Sequence, residues 1–355
     1  MMKRAYLFFV TILVSSIFFS CSTLRVIDIE SYKPSTITFP PEIKKVMVVN
    51  NSAQQPDNVG HRYISYAKSD SAISVSSDST AFLFCMSLGS AMAESPVFDD
   101  VRICNDTLRT DSLFFKIIPF TPSEINYLCA EYGVDALISL DKLFFSTILY
   151  KNTKFNYMPL VDNSINVQVA GEIRVQWPGQ KDVYIIPFRD SLSFYFDAFY
   201  ELSGVLSLEG VKYCMHYVSE MTGQKMKEHL VPFWDDESRW YYKSITSEWK
   251  RGTAFASVEK WDEALKIWES LLIKSKKWKQ KARLASNIAL CYEMKGGFDK
   301  AIEYAEMSYG LFKEHDVENS SYTNIQSAFV DTLKKRKEDE EMLSIQLKEP
   351  LTIDN

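Results

Sequence analysis

Histidine is scarce in this chain of 355 residues: the four are His61, His216, His229 and His315, and no two stand at the HExxH spacing that puts two imidazoles on one helical face around zinc. There is no GxSxG elbow, no phosphate-cradling loop and no GxGxxG turn, so the short signatures of nucleophile-elbow hydrolases, nucleotide phosphohydrolases and dinucleotide enzymes are all missing. No two cysteines form a CxxC pair, which argues against a zinc ribbon or a thioredoxin-type redox centre. Cys85, Cys104, Cys129, Cys214 and Cys291 are widely spaced, odd in number and mostly in apolar contexts. They read as buried free thiols, with one disulfide left open as an alternative in an oxidising compartment. Positive charge is also in deficit: 40 Lys and Arg stand against 46 Asp and Glu, a net charge of −6, which does not suit nucleic acid. Two adjacent acid pairs, Asp99-Asp100 and Asp235-Asp236, sit in loop contexts. Adjacent carboxylates in loops are usually solvated, and neither pair is expected to be catalytic, which takes an environment that perturbs them. The expectation is a non-enzyme with no catalytic residue, no cofactor and no metal site.

Long apolar runs are rare too, and the one that exists is at the start. Lys3 and Arg4 precede an apolar stretch from Ala5 to Phe19, broken only by Thr11, Ser15 and Ser16, and the run leads to Phe18-Phe19-Ser20-Cys21. It is short for a membrane span, which takes about 20 apolar residues, and reads as a targeting segment over 1–20. A small residue directly before a cysteine at the end of such a run resembles the lipobox of bacterial lipoproteins. That resemblance implies cleavage before Cys21, a lipid on its thiol and attachment to the outer membrane. Ser22-Thr23-Leu24-Arg25 follows, with no acidic run of the kind that resembles a surface-export signal, which points to the periplasmic face. Without Lys3 and Arg4 the net charge falls from −6 to −8.

What remains has 46% hydrophobic and 14% aromatic residues over the whole chain, enough for two folded domains. Residues 21–42 carry Pro34, Pro40 and Pro41 with little periodicity and read as an extended tether, up to roughly 70 Å long. The fold class expected is α+β: a domain over 43–197 with a mixed sheet, an all-helical domain over 198–346 and a tail over 347–355. In the first domain, Lys44 to Asn50 is a buried strand and Asp78 to Ala93 a helix. Leu113 to Phe120 is a second strand candidate. Thr121-Pro122-Ser123-Glu124 opens a helix by a capping box. Gly133 closes it, and Val134 to Leu140 turns into a strand. Asn166–Trp177, Val183–Phe188 and Ser191–Phe196 alternate as an antiparallel meander. The order resembles the small α/β domain of envelope lipoproteins such as the curli-secretion lipoprotein and the activators of penicillin-binding proteins.

From Ala198 onward the sequence reads as helices alone. Six of the seven tryptophans fall between Trp234 and Trp278, as core fillers. Gly252, Phe255, Ala264 and Trp268 recur as Ala289, Tyr292, Ala301 and Ala305 at the same offsets, 37 residues on. With Lys260-Trp261-Asp262-Glu263-Ala264 and the Gly296-Gly297 turn, this pattern over about 245–312 resembles tetratricopeptide repeats. The helices at 198–230 and 318–346 are then expected to cap the stack, and Lys334 to Glu341 to form a solvated face. In that family partners bind the concave face built by the first helix of each repeat. By position this implies Trp249, Thr253 and Ala256, then Arg283, Ser286, Leu290 and Glu293.

Asp followed by Ser or Thr and then an apolar residue or Thr recurs six times, with Ser71, Ser79, Thr107, Ser112, Ser191 and Thr332 in the middle. The triplet is similar to the O-glycan acceptor of exported proteins in some gut anaerobes. It is also ordinary turn chemistry. For Ser71, Ser79 and Thr107 the two readings stand level; for Ser112 and Ser191 the turn is preferred. The whole chain resembles uncharacterised lipoproteins of gut anaerobes. The functional expectation is a lipid-anchored module that docks unidentified envelope proteins. A subunit of a secretion or assembly complex is the alternative, and a hydrolase of glycan or peptidoglycan the more distant one.

Overall fold

The structure is a computed structural model that describes residues 24–65, 68–109, 111–151, 163–196, 207–315 and 320–347. The chain divides into two compact units, one built around a sheet from residues 34–233 and 345–348, the other from the flanking segments 1–33 and 234–344 with 349–355. The fold is α+β, with a mixed sheet in the first unit and helical hairpins in the second.

In the sheet unit, β2 (Lys45–Asn50) pairs in parallel with β5 (Asp100–Thr107) on one side and with β6 (Ala136–Lys151) on the other. The far half of β6 pairs in parallel with β3 (His61–Ser65), which pairs antiparallel with β4 (Lys68–Ala72). Along its opposite edge β6 takes β7 (Asn163–Gln176), and β7 takes β8 (Tyr184–Phe196), both antiparallel. One edge of β6 thus serves two short strands in turn. At the gap between them the Gln55 side chain takes the place of a strand: its amide donates to Phe145 O (2.8 Å) and accepts from Phe145 N–H (2.7 Å). Buried backbone groups must find partners, and here one side chain supplies both.

Helix α1 (Thr80–Ala93) lies on one face of this sheet and α2 (Pro122–Tyr132) on the other. α2 starts as its sequence dictates. The Thr121 hydroxyl accepts from Glu124 N–H, the Glu124 carboxylate accepts from Thr121 N–H at 2.7 Å, Pro122 occupies the first turn, and Gly133 ends the helix at φ 61°. The strand between α1 and α2 is β5, whereas Leu113 to Phe120 is a turn and an extended segment. Arg109 explains the difference by donating to the carbonyls of Leu113 (3.0 Å) and Lys116 (2.9 Å), which curls that stretch on itself. The meander is two strands, since Val183–Phe188 and Ser191–Phe196 fall on the single strand β8.

Helix α3 (Leu208–Lys225) lies within the span expected to cap the repeats, yet it belongs to the sheet unit. Val211, Cys214, Met215 and Val218 share one buried cluster with Phe84 and Leu88 of α1, and Ser219 Oγ donates to Thr80 O at 2.7 Å. A short 3-10 turn, Met226–His229, follows it.

The second unit corrects two further expectations. Residues 24–33 form strand β1 (Leu24–Lys33) in place of a tether, and β9 (Phe233–Tyr242) interrupts the all-helical stretch to pair with it. Ser238 hydrogen-bonds Asp28 (2.9 Å), the rings of Trp234 and Tyr32 lie 4.9 Å apart, and the Arg25 charge acts on the Tyr241 phenol. As one number rises the other falls, so the pair runs antiparallel. Helices α4 (Ser247–Ala256), α5 (Trp261–Lys274), α6 (Trp278–Met294), α7 (Phe298–His315) and α8 (Ser321–Leu347) follow, with α4 packed on α5, α5 on α6 and α6 on α7. Among the described residues no helix is long and apolar enough to cross a membrane.

Candidate functional site

The expected repeat signature is the core of the helical unit. Gly252, Ala264, Trp268, Ala289, Ala301 and Ala305 are buried, with Phe255 and Tyr292 packed beside them. A Cβ on Gly252 would stand 2.5 Å from the Trp268 indole nitrogen, so the small residue is what lets the indole fill the hairpin. Tyr292 stacks on Tyr304 (5.7 Å between rings) and donates to Glu269 at 2.9 Å. Burial and the Glu269 carboxylate push its phenol up to about 12.

The expected docking face is not open. Trp249, Ala256, Ser286, Leu290 and Glu293 are buried, and Thr253 and Arg283 are half-buried. The chain's own β9 and α8 occupy that face. Asn287 of α6 holds the Tyr242 backbone from both sides, its Oδ1 accepting from Tyr242 N–H (2.7 Å) and its Nδ2 donating to Tyr242 O (2.9 Å). The Trp249 indole donates to the same carbonyl at 2.8 Å. Nearer the C-terminal end of α6, the Glu293 carboxylate accepts from Arg239 of β9 (2.9 Å) and Arg336 of α8 (2.6 Å). The Arg283 guanidinium lies 5.4 Å from the Tyr242 ring centroid. A face that grips extended backbone through an asparagine is thus present but satisfied internally. Sequence reasoning missed β9 because Asp235, Asp236 and Glu237 break any apolar period within it. Asn287, a lone amide inside the apolar run Ile288-Ala289-Leu290, was the signal that could have found it.

A wider open concavity lies in the sheet unit. A cleft of about 660 Å³ sits where the chain leaves the carboxyl ends of β2 and β5, beside the start of α1. From β2 the fold continues to β5 on one side and β6 on the other, and such a reversal is where open α/β sheets leave a crevice. Ser52, Gln54, Asp78, Ser79, Arg109 and Asp111 contribute to its wall, with Phe145 at its base. Gln54 donates to Asp78 (2.6 Å), and the Ser76 hydroxyl holds the Asp78 carboxyl below its ordinary value. Arg109 does the same for Asp111, through contacts of 2.7 and 3.0 Å. Both acids are therefore ionised and engaged at neutral pH. His61, 2% exposed, bonds Thr147 (2.8 Å) and Gln55 (3.3 Å), and burial lowers its pKa. These groups suit hydrogen-bonded capture of a polar ligand.

The remaining sequence candidates scatter. Cys85, Cys104, Cys129, Cys214 and Cys291 are buried free thiols. Burial raises Cys129 and Cys214 to about 11 and pushes Cys85 and Cys291 higher. Asp99, Asp235 and Asp236 are exposed. Among the described residues no group of three or more His, Cys, Asp or Glu could hold a metal. Ser71 is exposed on β4, and Ser79 is exposed at the N-cap of α1, in a left-handed backbone (φ 65°) beside the cleft. Asp111 accepts from Leu113 N–H at 2.8 Å, a local turn around Ser112, whereas Ser191 lies inside β8. The Lys334–Glu341 stretch is only partly a solvated face, since Arg336 and the buried Asp339 turn inward. Cys21, the Thr107 side chain and residues 348–355 lie outside the described residues.

Residues 43–242 match a family profile described as a domain of unknown function, DUF8603, more than half of the chain. The chain belongs to the DUF8603 family. The DUF8603 region runs from the approach to β2 to the last residue of β9, so it includes the strand gripped by α6. A second profile, the domain of unknown function DUF6340, matches residues 250–335, from α4 into α8. No curated protein matches the chain in sequence. Three solved structures are distantly similar. Rare lipoprotein B from Shewanella oneidensis is 13% identical, over 30% of this chain and 85% of that one, at a TM-score of 0.18. An uncharacterized protein is 12% identical over 54% and 99% (TM-score 0.21). The hypothetical protein CT253 from Chlamydia trachomatis is 12% identical over 52% and 96% (TM-score 0.23). At these scores the similarities carry no argument about activity.

Proposed function

We propose that this DUF8603 protein is a non-catalytic lipoprotein of the bacterial envelope, held by a lipid on Cys21, that works by capturing a partner rather than by transforming one. The observation that carries this reading is how the chemically capable side chains are used. His61 is tied to Thr147 and Gln55, and Glu293 to two arginines. Buried Asp141 is held by Asn51 (2.9 Å) and Arg174 (3.1 Å), and the thiols are sunk in the core, where burial raises those of Cys85, Cys129, Cys214 and Cys291. Acid–base and nucleophilic work needs such groups free and aimed at a substrate. Here structure consumes them, while the cleft offers hydrogen-bonding groups around a concave floor. The helical hairpins, of tetratricopeptide-like pattern, then serve as a base with an internally filled groove, and the cleft is the capture surface.

Two measurements test this. Mass spectrometry of the protein from its native membrane should show a chain starting at Cys21 with acyl mass added, and an unmodified Cys21 would refute the anchor. Crosslinking in native cells through a photoreactive residue at Ser52 or Gln54 should trap a discrete envelope component. A probe at Ser286, on the filled groove, should trap nothing.

A further inference from the structure

The chain is acidic overall, yet one short stretch is the reverse. Lys274, Lys276, Lys277, Lys279, Lys281 and Arg283 place six cations in ten residues with no acid among them. They span the join of α5 and α6 and the first turns of α6. Among the described residues none of the five lysines forms an ion pair, whereas Lys33, Lys295, Lys334, Lys335 and Lys337 are each paired with an acid. Lys274 closes α5, where a cation is favoured, but the position of the others at the start of α6 runs against helix electrostatics. The start of a helix carries partial positive charge and favours acids, and α6 has none in its first turn. Lys279 gains ring contacts with Trp278 (6.0 Å) and Tyr322 (5.9 Å), but among the described residues no acid offsets the lysines, and a local choice that opposes stability marks a functional surface.

The antiparallel pairs bring this stretch to a particular end of the helical unit. Ser238–Asp28 and Tyr241–Arg25 carry the register on to Tyr242 beside Leu24. The Tyr242 ring lies 5.4 Å from Arg283 and 6.4 Å from the Tyr322 ring, which has Lys279 at 5.9 Å. Leu24, where the described fold begins, is thus at the cationic end of α6. Leu24 is three positions along the chain from Cys21, a reach of at most about 11 Å. Around the same end Ile273 is 86% exposed and Ile245 87% exposed. Cations with exposed aliphatic side chains are the composition of surfaces that rest on anionic bilayers.

We infer that the end of the helical unit carrying Lys276, Lys277 and Lys279 rests directly on the membrane, binding anionic lipid headgroups beside the lipid anchor. The orientation rests on the proposed lipid at Cys21, but the headgroup binding does not. The lipid would supply one attachment and the lysines the second that stable anchoring needs.

The test uses a chain starting at Ser22, which cannot be acylated at Cys21 and keeps all the described structure. It is mixed with sedimentable vesicles of phosphatidylcholine alone or with roughly one third phosphatidylglycerol. Binding should require phosphatidylglycerol and should fade as salt is raised. Replacing Lys276, Lys277 and Lys279 together by Gln should weaken it about 100-fold, from the roughly fivefold per cation expected at such surfaces. The matched control, Lys334, Lys335 and Lys337 to Gln, removes the same charge and should change binding less than about twofold. Circular dichroism verifies that each variant is folded. Equal binding to both vesicles, or equal losses in the two triple variants, would overturn the inference. Because no lipidated protein enters this assay, its outcome is independent of whether Cys21 proves to be acylated.

Discussion

At the scale of single residues, the buried polar groups set how this protein responds to pH and substitution. Burial lowers the His61 pKa, so the unfolded chain takes up a proton that the folded one resists. The His61 contribution is therefore fully present above the unfolded value of about 6.5 and is lost as pH falls from there toward the lower folded value. Urea midpoints at pH 7.5 and 5.5 should fall more for the native protein than for His61→Gln, by up to about 1 kcal/mol. Glu293 is a harsher case. Glu293→Gln takes the shared carboxylate from Arg336 and leaves buried Arg239 with Glu237 alone, and should cost about 3 kcal/mol, since removing one partner of a buried pair leaves charge uncompensated. Chemical denaturation measures that loss, and a change below about 0.5 kcal/mol would mean the triad is replaceable. Neither network was legible beforehand. Arg239 and Glu293 are 54 positions apart, and nothing local to either announces the other.

Among secondary-structure elements, legibility followed locality. The start and stop of α2 were readable because Thr121, Pro122, Glu124 and Gly133 act within a turn of their own backbone. Thr121→Ala should accordingly cost about 1 kcal/mol, read as a lower thermal midpoint, with little effect on binding at the cleft. β2 and β7 were readable because each is an apolar or alternating run on its own. β1, β5 and β9 were not. Each mixes charges through its length, and its strand character comes from a partner rather than from its own pattern. The repeat spacing correctly placed Gly252 against Trp268 in the core, but position in the repeat could not tell an empty groove from one filled by β9. The cleft was equally hidden, because it is assembled from the ends of β2, β5 and α1, which share no motif.

At the scale of the whole molecule, the correction at the N-terminus matters most, since a leash became a strand. Were residues 24–33 a tether, deleting them would leave stability untouched. As β1 they cover Tyr241 and partner β9, so the deletion should destabilise the helical unit by several kcal/mol. Thermal unfolding of that variant, followed by tryptophan fluorescence, decides between the two: six of the seven tryptophans lie in 234–278 and report on that unit. The vesicle and crosslinking experiments belong at this scale too, since one asks what the base of the molecule rests on and the other what its cleft holds.

The pairing of β1 with β9 has a consequence in time. Asp28 and Ser238 meet across 210 residues of chain. Closing a loop of that length costs about 5 kcal/mol in chain entropy beyond a constant. An exported chain emerges from its N-terminus, so β1 arrives first and waits while the whole sheet unit follows and folds. Its partner comes only when β9 is delivered, and the helices that clamp β9 come later still. A chain halted just past residue 233 therefore has its sheet unit complete except for residues 345–348, while the strand nearest Cys21 stays bare to any other edge it meets. Completion of the helical unit is thus the last event of maturation, and on the inference above it is also the one that sets the contact with the membrane.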